Sequence, residues 1–471
     1  MSAYTLTIGG KATPTPGTFD VLNPADETLV AKCPLGTVAL LDLAVKSARE
    51  ALPKWAALPD AERVAKLMAI ADLVEKNHPE LSELITREQG KSQTGPGANF
   101  EVGGAVAWTR VTASLSLPDE VIQDDKTGKI VLHRKPVGVV GSITPWNWPM
   151  IIAVWHIMPA LRVGCTVVIK PSPFTPLSTL RLVEIANQVL PPGVLNVVTG
   201  DAEVGNHMSA HPGIDKVVFT GSVATGKKVM AGAAQTLKRI TLELGGNDAG
   251  VILPGTKIDA PMLEKLFWGC FLNAGQTCAC LKRLYVHESQ YEEVVTKFAE
   301  YVSKIPVGPG MDPKNLIGPL TNRMQLDKVS SMVDEAKARG ARIVTGGEKP
   351  KAAGFFYPLT IIADVTDDMR VVKEEQFGPI IPVIKYSSVE DAIARANSLE
   401  VGLGGSVWGN DVAAASSYAS RLECGTAWVN HHGALHPMAP FGGVKASGIG
   451  VEFNVDGLKE YTTVQVVNVS L

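Results

Sequence analysis

Apolar residues recur at three- and four-residue intervals over 38–56 and 60–89, and both stretches close on turn residues. They predict helices, with Gly90 placed to cap the second. Beyond them the pattern becomes an alternation. Short β-rich runs stand at Val137–Ile143, Thr166–Lys170, Val194–Val198, Lys216–Thr220 and Ile240–Leu244, with helix-like segments between them at about 150–163, 176–190, 202–210 and 224–237. Strands that read as near-continuous apolar runs, separated by helices, predict a parallel sheet covered on both faces. Such sheets bind ligands outside the carboxyl ends of their strands, so the chemistry is sought in the turns that follow each strand.

A second alternation begins after Asn247. It holds a helix around 259–273, a strand near 282–287, helices near 289–304 and 322–339, and strands near 379–385, 403–408 and Gly425–Asn430. This predicts a second α/β unit. The segment 120–135 reads as a hairpin with Thr127–Gly128 at its tip. It and the β-rich tail Thr462–Leu471 belong to neither unit by pattern, and both are placed to pair across a subunit boundary. No internal repeat is visible.

Composition narrows the class. A chain of 471 residues carries a prior of about three domains. Lys plus Arg (44) nearly balance Asp plus Glu (47), without long blocks of either sign, so neither nucleic acid nor an anionic membrane is an expected partner. With 45% hydrophobic residues the chain can bury a large core, which excludes wholesale disorder. The N-terminus lacks a basic start followed by an apolar run, and six cysteines are too few to staple a chain this long, so a reducing cytoplasm with free thiols is expected. Pro136–Leu161 has no charged residue and is long enough to span a bilayer. Four prolines with Asn147 and His156 break it into a buried strand, a turn and a helix.

Several turns carry candidate chemistry. Asn273-Ala274-Gly275-Gln276-Thr277-Cys278 ends a predicted helix, and the glycine beside the thiol lets substrate and backbone approach. A buried structural thiol is the competing reading. Cys278 and Cys280 form a C-x-C pair without partner ligands at zinc spacing, so no metal is expected. Glu243-Leu244-Gly245-Gly246-Asn247 ends a strand with a carboxylate, either a general base or an ordinary strand-end ion pair. Thr144-Pro145-Trp146-Asn147-Trp148-Pro149 offers an amide donor for an oxyanion between bulky aromatics. Phe219-Thr220-Gly221-Ser222 runs from strand into helix and suits a phosphate, or merely caps the helix. Lys170 closes an apolar strand, before Pro171-Ser172-Pro173. Glu374-Glu375-Gln376-Phe377-Gly378-Pro379 and Pro440-Phe441-Gly442-Gly443, taken singly, are turns.

Together and in this order, over nearly the whole chain from Asn23-Pro24, these motifs resemble the aldehyde dehydrogenase superfamily. The resemblance implies an α/β fold: a Rossmann-like dinucleotide-binding domain (1–118 and 137–245), a catalytic domain bearing the cysteine (246–445), and a small β oligomerisation arm (119–136 and 460–471). It implies Cys278 as nucleophile, Glu243 as base and Asn147 as oxyanion donor. Glu452, in Ser447-Gly448-Ile449-Gly450-Val451-Glu452, matches a carboxylate sometimes assigned to a proton relay. Lys170 and Glu375 match holders of the cofactor riboses, and Gly221 and Ser222 the turn near the pyrophosphate. Phe377 matches the aromatic flanking the nicotinamide, and Thr144, Trp146, Ser172 and Gly205 complete the implied cofactor surface. Trp148, Trp155, Leu272, Leu435 and Phe441 fall where relatives line the aldehyde tunnel, which favours an apolar aliphatic or aromatic aldehyde.

Two positions depart from the pattern. Pro173 stands where many relatives carry a ribose-binding Glu. Without that carboxylate the repulsion against a 2′-phosphate is absent, so the expected cofactor is NAD or NADP. Asn247 replaces the lysine common after E-L-G-G, and no consequence follows from the sequence. The implied reaction is oxidation to the carboxylic acid through a thiohemiacetal and a thioester. A CoA-acylating relative would not need Glu243, and a non-catalytic member would not need Cys278. A semialdehyde lacks an anchor in 431–440, which holds no Arg or Lys; His431, His432 and His436 there read as surface or packing residues. The partner expected is a small-molecule aldehyde, in a homodimer or homotetramer.

Overall fold

Two largely parallel sheets organise the chain in a computed structural model that describes residues 4–470. Met1–Ala3 of the N-terminal segment and Leu471 at the end of the tail lie outside the described residues. The first sheet runs in the order Lys11–Thr13, Leu6–Ile8, Leu195–Val197, Thr166–Lys170, Val139–Ile143, Lys216–Gly221, Arg239–Leu244 and Gly448–Ile449. Its five central strands are parallel. They are apolar on both faces because helices cover both: Val167, Val168, Ile169, Val217 and Val218 are all buried. Removing each such side chain from water contributes about 1.5–3 kcal/mol. Helices Val38–Ala56, Pro149–Arg162 and Leu177–Ala186 pack on this sheet.

The second sheet runs Arg342–Thr345, Thr360–Ala363, Ile380–Tyr386, Leu281–His287, Asp248–Ile252, Gly404–Trp408 and Thr426–Val429, parallel except at its first edge strand. The chain then returns. Gly448–Ile449 pairs antiparallel with Arg239–Leu244, so a segment that follows the second sheet closes the edge of the first. Glu120–Asp125, Gly128–Pro136 and the tail Thr462–Ser470 form a separate three-stranded antiparallel sheet within one chain. Its hairpin turns over Lys126 and Thr127, one position before the predicted tip, and Gly128 already pairs with Asp125.

The helical stretch over 60–89 divides into Asp60–Lys76 and His78–Gln89. Pro79 has no N–H to continue the helix, and Asn77 closes the first one by donating its amide to the Leu73 carbonyl at 2.7 Å. Gly90 ends the second helix with φ 97°, a left-handed cap. The pattern gave no sign of the helix Ala98–Ser114, whose paired glycines and buried Glu101 obscure its period. Pro136–Leu161 resolves into the strand, a turn and the helix Pro149–Arg162. Among the described residues no helix is long and apolar enough to cross a membrane. All six cysteines are free.

Candidate active site

Parallel register brings the strand ends to one edge. Ile143 lies beside Lys170 and Phe219, and Thr220 and Gly221 lie beside Glu243 and Leu244. The turns that follow therefore share one cleft-facing edge, and the Glu375 loop reaches it: the Gly246 amide donates to Glu375 Oε1 at 3.3 Å. Lys170 is buried, and among the described residues its Nζ finds only the Pro171 carbonyl, at 3.3 Å. An ammonium has three donors, so most of its capacity is unspent. Burial pushes its pKa down to about 8. The Thr144 amide donates to the Lys170 carbonyl at 3.1 Å, while its buried hydroxyl has no partner.

Gly205 leaves room beside Lys170, where an added Cβ would sit 3.7 Å from Cε. Gly221 does not tolerate one, because the Phe219 ring would lie 2.4 Å away. Ser222 caps the helix Val223–Ala234, accepting from the Thr225 amide at 3.3 Å. Ser172 is buried and accepts from the Phe174 amide at 3.3 Å, whereas Pro173 is exposed. Trp146 meets Phe377 edge-on, with ring centroids 5.3 Å apart. An underused buried ammonium, an unpartnered hydroxyl, a helix N-terminus and a carboxylate at the rim together fit a dinucleotide.

Cys278 follows an unusual turn. Helix Ala260–Phe271 ends, and Asn273, Ala274 and Gly275 all adopt positive φ (54°, 56° and 70°). Left-handed backbone costs about 1–2 kcal/mol at each non-glycine residue, so the neighbours must hold it. Asn273 Nδ2 donates to the Asn147 carbonyl at 2.9 Å, and Gln276 Nε2 donates to the Asn273 carbonyl at 3.0 Å. Gln276 Oε1 accepts from the Thr321 amide at 2.9 Å. Gly275 must lack a side chain because the Gly378 carbonyl would lie 2.2 Å from a Cβ.

The turn leaves Cys278 partly exposed. Asn147 Nδ2 donates to the Gln276 carbonyl at 2.9 Å, and Trp148 Nε1 donates to Thr277 Oγ1 at 2.9 Å. A carboxamide has two N–H donors, so among the described residues one of Asn147's is unspent. Burial pushes the Cys278 thiol up to about 12, opposed by the Lys282 charge and reinforced by Glu375, Glu243 and Asp248.

Glu243 is buried, and among the described residues neither carboxylate oxygen has a partner. Desolvation first, and the Glu452 charge second, raise its pKa well above the usual carboxylate range. Glu452 is buried too, its Oε1 3.2 Å from His156 Nε2. His156 also meets Ser142 Oγ at 2.9 Å and Thr220 Oγ1 at 3.0 Å. The only sign of His156 in the sequence was a polar residue in an otherwise apolar helix.

Beneath Asn147 lies a buried ion pair that the sequence did not signal. Lys91 Nζ is 2.5 Å from Glu101 Oε2, donates to the Asn147 carbonyl at 2.8 Å, and sits 3.5 Å from the centre of the Trp148 ring. Glu101 Oε1 accepts from the Met150 and Ile151 amides at 2.8 and 3.2 Å, which satisfies the start of the helix after the turn.

Aromatic and aliphatic side chains crowd the remaining side. Cys278, Leu435 and Phe453 pack on Ala279, Leu403, Trp428 and Phe441; Trp155 and Leu272 pack with Trp148, Ile151 and Ile152. Phe453 bridges the two groups, 4.8 Å from Trp155 and stacked 5.9 Å from Phe441. Trp108, 5.8 Å from Trp155, belongs here as well. Trp108 sits on the helix the pattern missed, and Phe453 and Trp428 lay outside the motifs. His431 and His436 are exposed, while His432 is buried against Trp428 and bonds Ser406 Oγ at 2.9 Å.

Comparison with known proteins agrees with this geometry. The family model described as the aldehyde dehydrogenase family matches residues 12–467. The chain is 41% identical over 440 residues to FUS7 of Gibberella fujikuroi, named as an aldehyde dehydrogenase, covering 93% of each chain. The structure of the NAD+ complex of aldehyde dehydrogenase from Bacillus cereus superposes with a TM-score of 0.97 at 35% identity, covering 100% of this chain and 97% of that one. An E. coli NADP dependent enzyme superposes with a TM-score of 0.97 at 34% identity, covering 100% and 98%. With a family model matching almost its whole length and its fold superposing on solved members, the chain belongs to the aldehyde dehydrogenases, a family of oxidoreductases.

Proposed function

We propose that the protein oxidises an apolar aliphatic or aromatic aldehyde to its carboxylic acid, using NAD or NADP, with Cys278 as the covalent nucleophile. The observation that carries this reading is the meeting of a partly exposed thiol with Asn147, bonded two residues upstream on the same turn, and with the unpartnered buried carboxylate of Glu243. The resting thiol is protonated, so its proton must leave before attack on the carbonyl carbon; Glu243, directly or through water, accepts it. The resulting oxyanion is held by the second amide N–H of Asn147 and a backbone N–H near Cys278. Removing one such donor typically raises the barrier by about 3 kcal/mol.

Lys170 and Glu375 would hold the cofactor riboses, and Gly221 and Ser222 the pyrophosphate. Thr144, Trp146, Ser172, Gly205 and Phe377 would shape the same surface. When bound, the dinucleotide would supply the hydride acceptor needed to oxidise the thiohemiacetal on Cys278 to a thioester. Glu243 passes the thiol proton on along the buried Glu452 and His156 path and, ionised again, takes a proton from water so that hydroxide attacks the thioester and expels the Cys278 thiolate; that second proton leaves by the same path. Trp148, Trp155, Leu272, Leu435 and Phe441 form the apolar approach to the sulfur. The three-stranded arm supports a homodimer or homotetramer, since it leaves Val121, Ile122, Val464, Val466, Val467 and Val469 exposed.

The test is a panel of aliphatic, aromatic and acidic aldehydes, each with NAD and NADP. Cys278→Ala should abolish oxidation and keep cofactor binding, and Glu243→Gln should give a burst of reduced cofactor followed by slow turnover. Retained turnover in Cys278→Ala overturns the assignment, and stoichiometric acyl-CoA formation would replace hydrolysis by transfer to CoA.

A further inference from the structure

Four residues after Cys278, Lys282 lies with its side chain 3% exposed. Burying an ammonium is unfavourable unless it is paired, and this one is paired twice. Its Nζ donates to the Cys278 carbonyl and lies 3.0 Å from Glu375 Oε1. The Phe377 ring centroid is 5.8 Å away. The backbone carbonyl of Lys282 also accepts from Gln376 Nε2 at 3.1 Å, so the Cys278 loop and the Glu374–Gly378 loop are tied at both ends of one residue.

After burial, the largest influence on the thiol is the Lys282 ammonium, which acts against the carboxylates of Glu375, Glu243 and Asp248. Burial works against the Lys282 charge, and the Glu375 and Asp248 carboxylates overcome it, holding the ammonium's pKa above the usual lysine value. Burial lowers the pKa of His432 against the pull of Asp248, whose Oδ2 lies 3.5 Å from its Nε2, and that same ammonium lowers it further.

We propose that Lys282 is a positioning residue for both halves of the reaction centre, fixing the Cys278 carbonyl and the Glu375 carboxylate in one network and supplying the positive field in which the Cys278 thiolate forms. This deepens the reading of Cys278 as nucleophile and of Glu375 as a cofactor ligand, and rests on it. A cation beside a thiol favours the thiolate, and one pKa unit is a tenfold change in thiolate at a fixed pH below the midpoint. Removing the charge of Lys282 should therefore slow thiolate chemistry at Cys278 with no cofactor present, and should also free Glu375 to wander from the ribose position.

The experiment uses the full-length protein without cofactor and follows iodoacetamide alkylation at Cys278 by peptide mass spectrometry between about pH 6 and 10. Lys282→Met should slow alkylation of Cys278 about tenfold at each pH, and Lys282→Arg should stay within about twofold of the parent. Glu375→Gln, which removes a negative neighbour of both groups, should accelerate it. Dissociation constants for NAD+, read by quenching of protein fluorescence, should rise for Lys282→Met and much less for Lys282→Arg. Equal alkylation rates in the parent and Lys282→Met overturn the proposal, as does an Arg variant that behaves like Met, since packing rather than charge would then be at work. If Lys282→Met does not fold, slower or unchanged alkylation in Glu375→Gln overturns it instead. The underlying reading fails separately: parent protein fully alkylated at Cys278 that still oxidises aldehydes would remove Cys278 itself from the chemistry.

Discussion

Glu101→Gln isolates the buried pair beneath Asn147. In the parent, Lys91 and Glu101 side chains are 1% and 0% exposed, so neither charge has water to fall back on. The variant keeps an oxygen that can serve the Met150 and Ile151 amides, but turns an amide toward the Lys91 ammonium. That ammonium retains the Asn147 carbonyl and the Trp148 ring as its only partners. Breaking one side of a buried pair typically costs about 3–5 kcal/mol. Spread over a cooperative unit of about 200 residues, this is a fall in Tm of roughly 6–15 °C.

Two further measurements separate charge from shape. Burial has already lowered the Lys91 pKa to about 8, and the Glu101 charge is what opposes a larger drop. A lysine whose folded pKa is depressed binds fewer protons folded than unfolded in the window between the two values, so stability rises with pH across it. In Glu101→Gln the window opens at lower pH, and the Tm deficit against the parent should shrink between about pH 7 and 9. Adding Lys91→Met removes the orphaned charge and should restore most of the loss. Scanning calorimetry at a fixed scan rate reads all of these. A Glu101→Gln protein that melts with the parent at pH 7, or a double variant no more stable than the single, would refute the reasoning.

Other outcomes follow from the same geometry. Because the Glu452 charge holds the Glu243 pKa up, Glu452→Gln should move the rising limb of the deacylation rate toward lower pH by at least about half a unit, and an unchanged or upward limb contradicts it. Pro173→Glu places a carboxylate on an exposed position just beyond Lys170, and the KM for NADP should rise at least about tenfold with little change for NAD; equal effects on both would refute the ribose assignment. Deleting 462–471 exposes the Gly128–Pro136 edge and should lower the sedimentation coefficient to that of a smaller assembly, whereas an unchanged value would remove the arm from the interface.

What was legible in the sequence was what lies along single elements. The strands Thr166–Lys170 and Lys216–Gly221 are apolar throughout, and that pattern survives any tertiary context. The motif residues Asn147, Glu243 and Cys278 sit at, or a few residues beyond, the ends of elements that the pattern could find. Lys91, Glu101, Trp108 and Phe453 were invisible for the opposite reason. Lys91 and Glu101 pair locally but act on Asn147 and the Met150 amide about fifty residues on, Trp108 and Phe453 meet only across the fold, and two of the four lie on a helix whose glycines and buried carboxylate hide its period. His156 was present as an odd polar residue and Lys282 carried no signal, because their partners, Glu452 and Glu375, are set by the return of distant segments.

That return has a practical side. The chain leaves the first sheet near Gly246 and comes back two hundred residues later, so a gene cut between the two halves would yield a front fragment with an open, sticky margin and no Glu452. Fragments made separately are expected to aggregate, and only when both are produced together should the missing ribbon slot home.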